Sequence, residues 1–390
     1  MKNIALITWY NSINFGTCIQ CVALSTFLRN YGYDVCVPEN YSYYTLKDPA
    51  DFIRRAVKKI KIKFHPLYQS VDTNELPENI RAGYKKRAEN VKHVIATELN
   101  VYPIRGNSSF KQLNKDVDVF ITGSDQIWNP NHISSVMLLS FVGNDKRMLA
   151  YASSIGVAEI PQKLRPFYRK YLSRFSAIGV REESAVKALN EVNIGLPITQ
   201  VLDPTLLLTK EDLMQLGQKA DMHGRSFEKQ FIFCYFIGGK MGWTEDVKRF
   251  AADNNLDVVI CLSESNVVPD FGTIVADAGP YEFLWLIQNA SFIATDSFHA
   301  SAISLNLQKQ FFVYKRFADD DSNSQNSRLY DLLKAFGLTN RLISTSNPIE
   351  HSAANVIDYT SVTSTLEKLR VLSKDFLIGA IEGDSYGDMQ

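Results

Sequence analysis

Short apolar runs alternate with stretches of helical periodicity along the chain, and this alternation narrows the fold more than any other feature. It predicts parallel strands joined by crossover helices, an α/β architecture. Candidate strands cover residues 3–8, 35–37, 117–122, 148–153, 177–180, 199–202, 230–237, 256–262, 292–294 and 310–314. Their content of Ile, Val, Phe and Tyr suits strands buried on both faces. Helical patterns lie between them at 17–31, 49–63, 79–98, 161–175, 182–191, 243–253, 280–288, 299–305 and 327–336, with a last one at 362–376. A chain of 390 residues, at roughly 100–200 residues per domain, makes two domains. The expected division is residues 1–175 for one Rossmann-like domain and 176–350 for a second, followed by a C-terminal helix and tail at 351–390 that is free to pack back on the first. Ligands of open α/β sheets bind beyond the C-terminal ends of the strands, so two such domains present their ends to a shared cleft.

Composition removes several function classes. Apolar residues make up 45% and charged residues 22%, and Lys+Arg and Asp+Glu are both 42. The balance gives no basic excess of the kind that nucleic-acid binders carry. The first apolar run, Ile4 to Ile7, is too short for a signal-peptide core of about 7–15 residues, and no run approaches the ~20 of a spanning helix. The expected location is cytoplasmic, which five cysteines, an odd number, also fit. Cys18-x-x-Cys21 stands where a redox pair would sit, after a strand and at the start of a helix. The surrounding segment reads as an ordinary apolar helix, so packing is the reading taken.

Polar and glycine residues collect just after strands. The first strand runs into Asn11-Ser12-Ile13-Asn14-Phe15-Gly16 and a helix whose N-terminus offers free N–H groups; Asn14 and Gly16 are candidate ligand contacts. No dinucleotide fingerprint or P-loop is present. Gly123-Ser124-Asp125-Gln126-Ile127-Trp128-Asn129 combines hydrogen-bonding side chains with an aromatic plate. That mixture suits a sugar, whose hydroxyls need donors and acceptors and whose C–H face stacks on rings. Ser124, Gln126 and Trp128 are therefore candidate acceptor contacts, and Asp125 is a candidate to orient or deprotonate a hydroxyl. Arg181 ends a strand ahead of a helix and can fork a carboxylate or phosphate; a surface pair with Glu182 or Glu183 is the plain alternative. In Thr295-Asp296-Ser297-Phe298-His299 an apolar strand turns polar and a helix begins, leaving an imidazole able to exchange a proton near neutral pH. Arg316 and Arg328 add cations along the same edge. The basic run within 54–63 suits either anionic lipid headgroups or a solvated helix face.

These motifs together resemble the bacterial polysaccharide pyruvyl transferase family. The matching elements run in order: Asn14-Phe15-Gly16 with Gln20, Gly123 to Asn129, Ala152-Ser153-Ser154-Ile155-Gly156, Arg181-Glu182-Glu183-Ser184, Asp203-Pro204-Thr205, Gly279-Pro280-Tyr281-Glu282-Phe283, and Thr295 to His299. The resemblance implies a GT-B-like fold and transfer of pyruvate from phosphoenolpyruvate to a pair of sugar hydroxyls, giving a cyclic ketal. The acceptor would be a lipid-linked or oligosaccharide precursor of a surface polysaccharide, with no cofactor and no metal. His299 would be the acid/base residue and Arg181 a donor ligand. Many members carry Arg two residues before the His, where this chain has Ser297, itself a candidate donor contact; Arg316 and Arg328 are the candidate replacements for the cation. Two other readings arise from the same residues. A sugar-nucleotide glycosyltransferase would use Asp116-Val117-Asp118 or Asp319-Asp320-Asp321 for a metal, although the first leads into a strand and the second reads as a loop. A saccharide-binding relative without catalysis is the other.

Overall fold

The computed structural model describes residues 1–39, 76–238, 242–263, 268–318, 321 and 324–383. The basic run at 54–63, the helical pattern at 49–63, Asp319 and Asp320 lie outside the described residues. Twelve strands form two parallel sheets among the described residues. In chain order they are β1 (Asn3–Ile7), β2 (Asp34–Pro38), β3 (Val101–Tyr102), β4 (Val119–Thr122), β5 (Arg147–Ser153), β6 (Ala177–Val180), β7 (Ile198–Gln200), β8 (Phe231–Phe236), β9 (Asp257–Leu262), β10 (Thr273–Val275), β11 (Phe292–Thr295) and β12 (Gln310–Val313). The first sheet has the order β3-β2-β1-β4-β5-β6-β7, the second β10-β9-β8-β11-β12. Strand order reverses at β1/β4 and at β8/β11. Connections there leave toward opposite faces and open a crevice at the strand ends.

The second sheet begins later than the sequence suggests. Residues 177–180 and 199–200 belong to the first sheet, where β6 pairs with β5 and β7 with β6, so the division falls after Gln200 and not at 175/176. The cause is backbone pairing: β5 leaves an open edge, and Leu149 and Ala150 align with Ala177 and Ile178. Arg181 is therefore carried by the first sheet. β3 and β10, which the periodicity does not mark, are short edge strands.

Every residue of β4 and β8 is buried, as a sheet covered on both faces requires. Helix Phe15–Asn30 is apolar nearly all round and buried over most of its length, because it is covered on several sides. Phe15 stacks on Phe283 of the second domain with centroids 4.7 Å apart, and one apolar core runs through both domains. Helix Glu78–Glu98 straps across: the Arg87 guanidinium donates to the Leu262 carbonyl at 2.6 Å, Tyr84 to the Ser263 carbonyl at 2.7 Å and Asn90 to the Asp277 carbonyl at 3.0 Å. The last helix, Tyr359–Glu382, returns to the first sheet, where Arg147 donates to the Ala380 carbonyl at 2.7 Å and Phe376 fills the space above Gly179. Cys18 and Cys21 are buried, unbridged thiols; burial pushes Cys18 up to about 12. No described helix is long and apolar enough to cross a membrane.

Candidate active site between the two sheets

The site is built where strand ends from both sheets meet. Beyond β11, the Thr295 hydroxyl donates to the Tyr235 carbonyl at 2.5 Å and accepts from Ser297 N at 3.0 Å. This turn lets Ser297 cap helix Phe298–Asn306, its Oγ accepting from Ala300 N at 3.4 Å. His299 thus falls in the first turn, with its ring directed at the first domain. Gly16 faces it. A Cβ at Gly16 would lie 2.3 Å from His299 Nδ1 and 2.6 Å from His299 Cβ, so only glycine leaves room for the imidazole. Asn14, half-buried, caps the opposing helix through Gly16 N at 3.1 Å.

On its other edge, His299 Nε2 lies 3.4 Å from Arg181 Nη1 and 3.6 Å from Asp203 Oδ2. Arg181 Nη1 donates to Asp203 Oδ2 at 2.9 Å and Nε to Glu182 Oε1 at 3.1 Å, while the guanidinium packs 4.0 Å from the centre of the Phe298 ring. Its Nη2 is buried with no hydrogen-bond partner among the described residues, and so is Glu182 Oε2. Ser154 donates to Glu182 Oε1 at 2.5 Å and Ser124 to Asp203 Oδ2 at 2.9 Å. Asp125 adopts a left-handed backbone, φ 69°, which Asp tolerates better than most residues. Its carboxylate accepts from Thr17 Oγ1 and from Gln126 N, both at 2.8 Å.

Charge in this buried space is tightly coupled. Burial raises the Asp203 and Asp125 carboxyls, but His299 and Arg181 outweigh it and hold both below the ordinary range, Asp203 far below. Arg181 is also buried, yet Glu182, Asp203 and Asp125 keep it firmly protonated. Arg328 is the opposite case. Burial first, then Arg181 and Arg316, lower it to about 9, against partial relief from Glu182 and Asp125. Among the described residues no carboxylate forms an ion pair with it. With the Gln126 amide oxygen turned toward it, the guanidinium is held by neutral acceptors: Gln126 at 3.0 and 3.2 Å and Gln325 at 3.2 Å. Arg181, Glu182, Asp203 and Arg328 also line a pocket whose far wall is aliphatic, with Leu206, Leu332 and Leu369.

The structure brings together His299, Arg181, Asp125, Ser124 and Gly16, with Gln126 and Arg328 alongside. Three candidates serve the scaffold. Trp128 is wholly buried in the first-domain core, its indole donating to the Met137 carbonyl at 2.9 Å and its ring edge-on to Phe175. It cannot present a plate to a ligand, which corrects the sequence reading. Ser297 is buried and engaged as a helix cap. Arg316 is held by Asp296 Oδ2 at 3.3 Å and the Asp296 carbonyl at 3.0 Å. Sequence reasoning misses Asp203, Glu182 and Thr17 as parts of the site. Asp203 carries a faint signal, a strand-end carboxylate before Pro204; Thr17 carries another, a polar side chain inside an apolar helix. Asp116 and Asp118 stand at the opposite end of β4 and hold the chain together, Asp118 accepting from Asn3 N at 2.9 Å. Among the described residues no group of three or more His, Cys, Asp or Glu is arranged to hold a metal ion.

Two parallel sheets with facing strand ends and a polar site between them define an α/β fold of the two-domain, GT-B-like class. A Listeria monocytogenes structure assigned as a UDP-N-acetylglucosamine 2-epimerase shares that fold, with a TM-score of 0.52 at 9% identity over 97% of this chain and 95% of the other. The UDP-GlcNAc 2-epimerase of Neisseria meningitidis, bound to UDP-GlcNAc, gives a TM-score of 0.48 at 11% identity over 96% and 99%. Comparison with curated proteins finds no match. The family model for polysaccharide pyruvyl transferase matches residues 14–316, a span that holds Gly16, Asp125, Arg181, Asp203 and His299. The chain belongs to that transferase family.

Proposed function

We propose that the protein transfers pyruvate from phosphoenolpyruvate to two hydroxyls of a saccharide, lipid-linked or free, forming a cyclic ketal and releasing phosphate. The observation that carries this reading is a cationic pocket with unmet demand. Arg181, whose Nη1 lies beside the His299 imidazole, keeps a buried Nη2 without a partner among the described residues, and Arg328 has neutral partners among them. A small molecule bearing both phosphate and carboxylate meets that demand. Arg328, which is not already committed to a carboxylate as Arg316 is, takes the place of the cation absent at Ser297.

The chemistry uses these positions in turn. His299, protonated, gives its proton to the methylene carbon of the donor, and positive charge develops at the carbon bearing phosphate. One sugar hydroxyl attacks that carbon and passes its proton to Asp125. Phosphate leaves with the bonding electrons and takes that proton. The second hydroxyl closes the ring and returns a proton to His299. Each protein group ends as it began.

Incubation with phosphoenolpyruvate and a panel of lipid-linked galactosides and mannosides tests the reading by phosphate release and product mass. Release of nucleoside diphosphate from a sugar nucleotide, with no phosphate from phosphoenolpyruvate, would instead establish glycosyl transfer. Arg328→Met should raise the KM for phosphoenolpyruvate about 10–100-fold, the worth of a charged hydrogen bond. It should leave the folded state as stable or more so, because it removes a buried and poorly compensated cation.

A further inference from the structure

We infer that Asp203 is a positioning residue for this site, one buried carboxylate oxygen that aims the Arg181 guanidinium and sets its charge beside the edge of the His299 imidazole. This rests on the pyruvyl-transfer reading.

The two oxygens of Asp203 have separate tasks. Oδ1 accepts from Thr205 N at 3.0 Å and Thr205 Oγ1 at 2.8 Å, which starts the short helix Pro204–Leu207 and fixes the plane of the carboxylate. Oδ2 then meets three parts of the molecule: Ser124 Oγ after β4, Arg181 Nη1 at the end of β6, both at 2.9 Å, and His299 Nε2 of the second domain at 3.6 Å. Asp203 is 1% exposed, so it is screened from solvent and acts through its neighbours.

Its first effect is on Arg181. With Nη1 on Asp203, Nε on Glu182 and the plane packed against Phe298, the guanidinium cannot rotate, and Nη2 is the nitrogen left for a ligand. Its second effect is on the imidazole. Arg181 at 3.4 Å opposes a second positive charge, whereas Asp203 and Asp125 favour one. These three charged groups come from the ends of three different strands. Asp203 is the carboxylate within ion-pairing distance of it. Burial alone would neutralise Asp203; His299 and Arg181 keep it ionised, so the group that supports the imidazolium is itself supported by it.

Asp203→Asn keeps size and shape and removes the charge. Two readouts separate this inference from the donor assignment. In substrate-free protein at neutral pH, the His299 imidazole resonance, identified by its loss in His299→Asn, should be displaced in D203N, because the charge 3.6 Å from Nε2 is gone. In turnover, kcat should fall about 10–100-fold with acceptor KM little changed, because a misplaced reacting group loses rate before it loses binding. An unmoved resonance in folded D203N overturns the inference, whether or not phosphoenolpyruvate is the donor. Should no donor of this class turn over while the resonance moves, the pyruvyl reading falls and the positioning role stands. If D203N does not fold, Ser124→Ala decides. It strips a donor from Oδ2 and strengthens the carboxylate's field at the ring, so the resonance should be displaced in the opposite sense, and no movement overturns the inference.

Discussion

The turns after β4 and after β11 are two polar, glycine- or serine-bearing clusters of similar length, and each divides its side chains between cleft and scaffold. After β4, Ser124 and Asp125 face the cleft, and the left-handed residue at 125 turns the chain so that Trp128, three positions on, drives into the core. After β11, Ser297 closes the start of a helix and His299, two positions on, reaches across to the other domain. The difference lies in the backbone that leaves each strand. An irregular loop tied to its neighbour by backbone bonds, with Ser154 N donating to the Asp125 carbonyl at 2.9 Å and Trp128 N to the Ser154 carbonyl at 3.2 Å, can bury its aromatic. A helix start cannot redirect its first turn, so whatever stands there faces the opposing strand ends.

The largest effect that tests this division is at His299. His299→Asn should lower kcat by about 10²–10⁴-fold, the usual contribution of a positioned acid or base, with an unchanged unfolding transition by circular dichroism. Activity within a few-fold of wild type would show that the β11 turn is scaffold like the Trp128 end of the β4 turn. Gly16→Ala comes next. The new methyl meets the imidazole ring and its Cβ at 2.3–2.6 Å, so the ring must swing away from Arg181 and Asp203. A displacement of about 1 Å at a reacting group costs on the order of 10²-fold, which should appear in kcat more than in donor KM. An active Gly16→Ala enzyme would mean that the ring position seen here is not the one used in turnover.

How far the sequence reveals this arrangement depends on the kind of signal. Strands buried on both faces announce themselves, and ten of the twelve observed strands overlap expected runs. The other two, β3 and β10, have two and three residues, too few to show a period. Sheet membership is not legible, because a strand–helix unit reads the same whether its strand extends the old sheet or begins a new one; β6 and β7 join the first sheet through pairing that the side chains do not encode. His299 and Arg181 can be found from place alone, each at a strand end before a helix. Asp203 cannot, since Asp before Pro also reads as an ordinary helix start, and it is one. Glu182 looks like half of a surface pair, and only burial shows that its partner is a site residue. Trp128 misleads for a general reason: an aromatic ring with a polar edge fits a sugar face and a protein core equally well, and residue type does not say which way it points.

Trp128 gives the smallest expected change in catalysis and the cleanest separation of the two roles. Trp128→Phe removes the N–H donated to the Met137 carbonyl, which keeps the Thr122 hydroxyl at 2.8 Å, and leaves a space beside Phe175. The lost ring volume leaves a cavity in a packed core, and the lost hydrogen bond adds about 0.5–1.5 kcal/mol, so the urea midpoint of unfolding should fall clearly. The KM for the acceptor should stay within about twofold, because the substitution leaves the backbone bond to Ser154 in place and the indole's own partners, Met137 and Phe175, are not site residues. The contrast with the acceptor-plate reading is sharp: a stacking residue would raise acceptor KM with little change in unfolding. If Trp128→Phe unfolds at the wild-type midpoint and binds acceptor poorly, the indole must reach the cleft during turnover, and the β4 turn would then present its aromatic to the ligand as the β11 turn presents its imidazole.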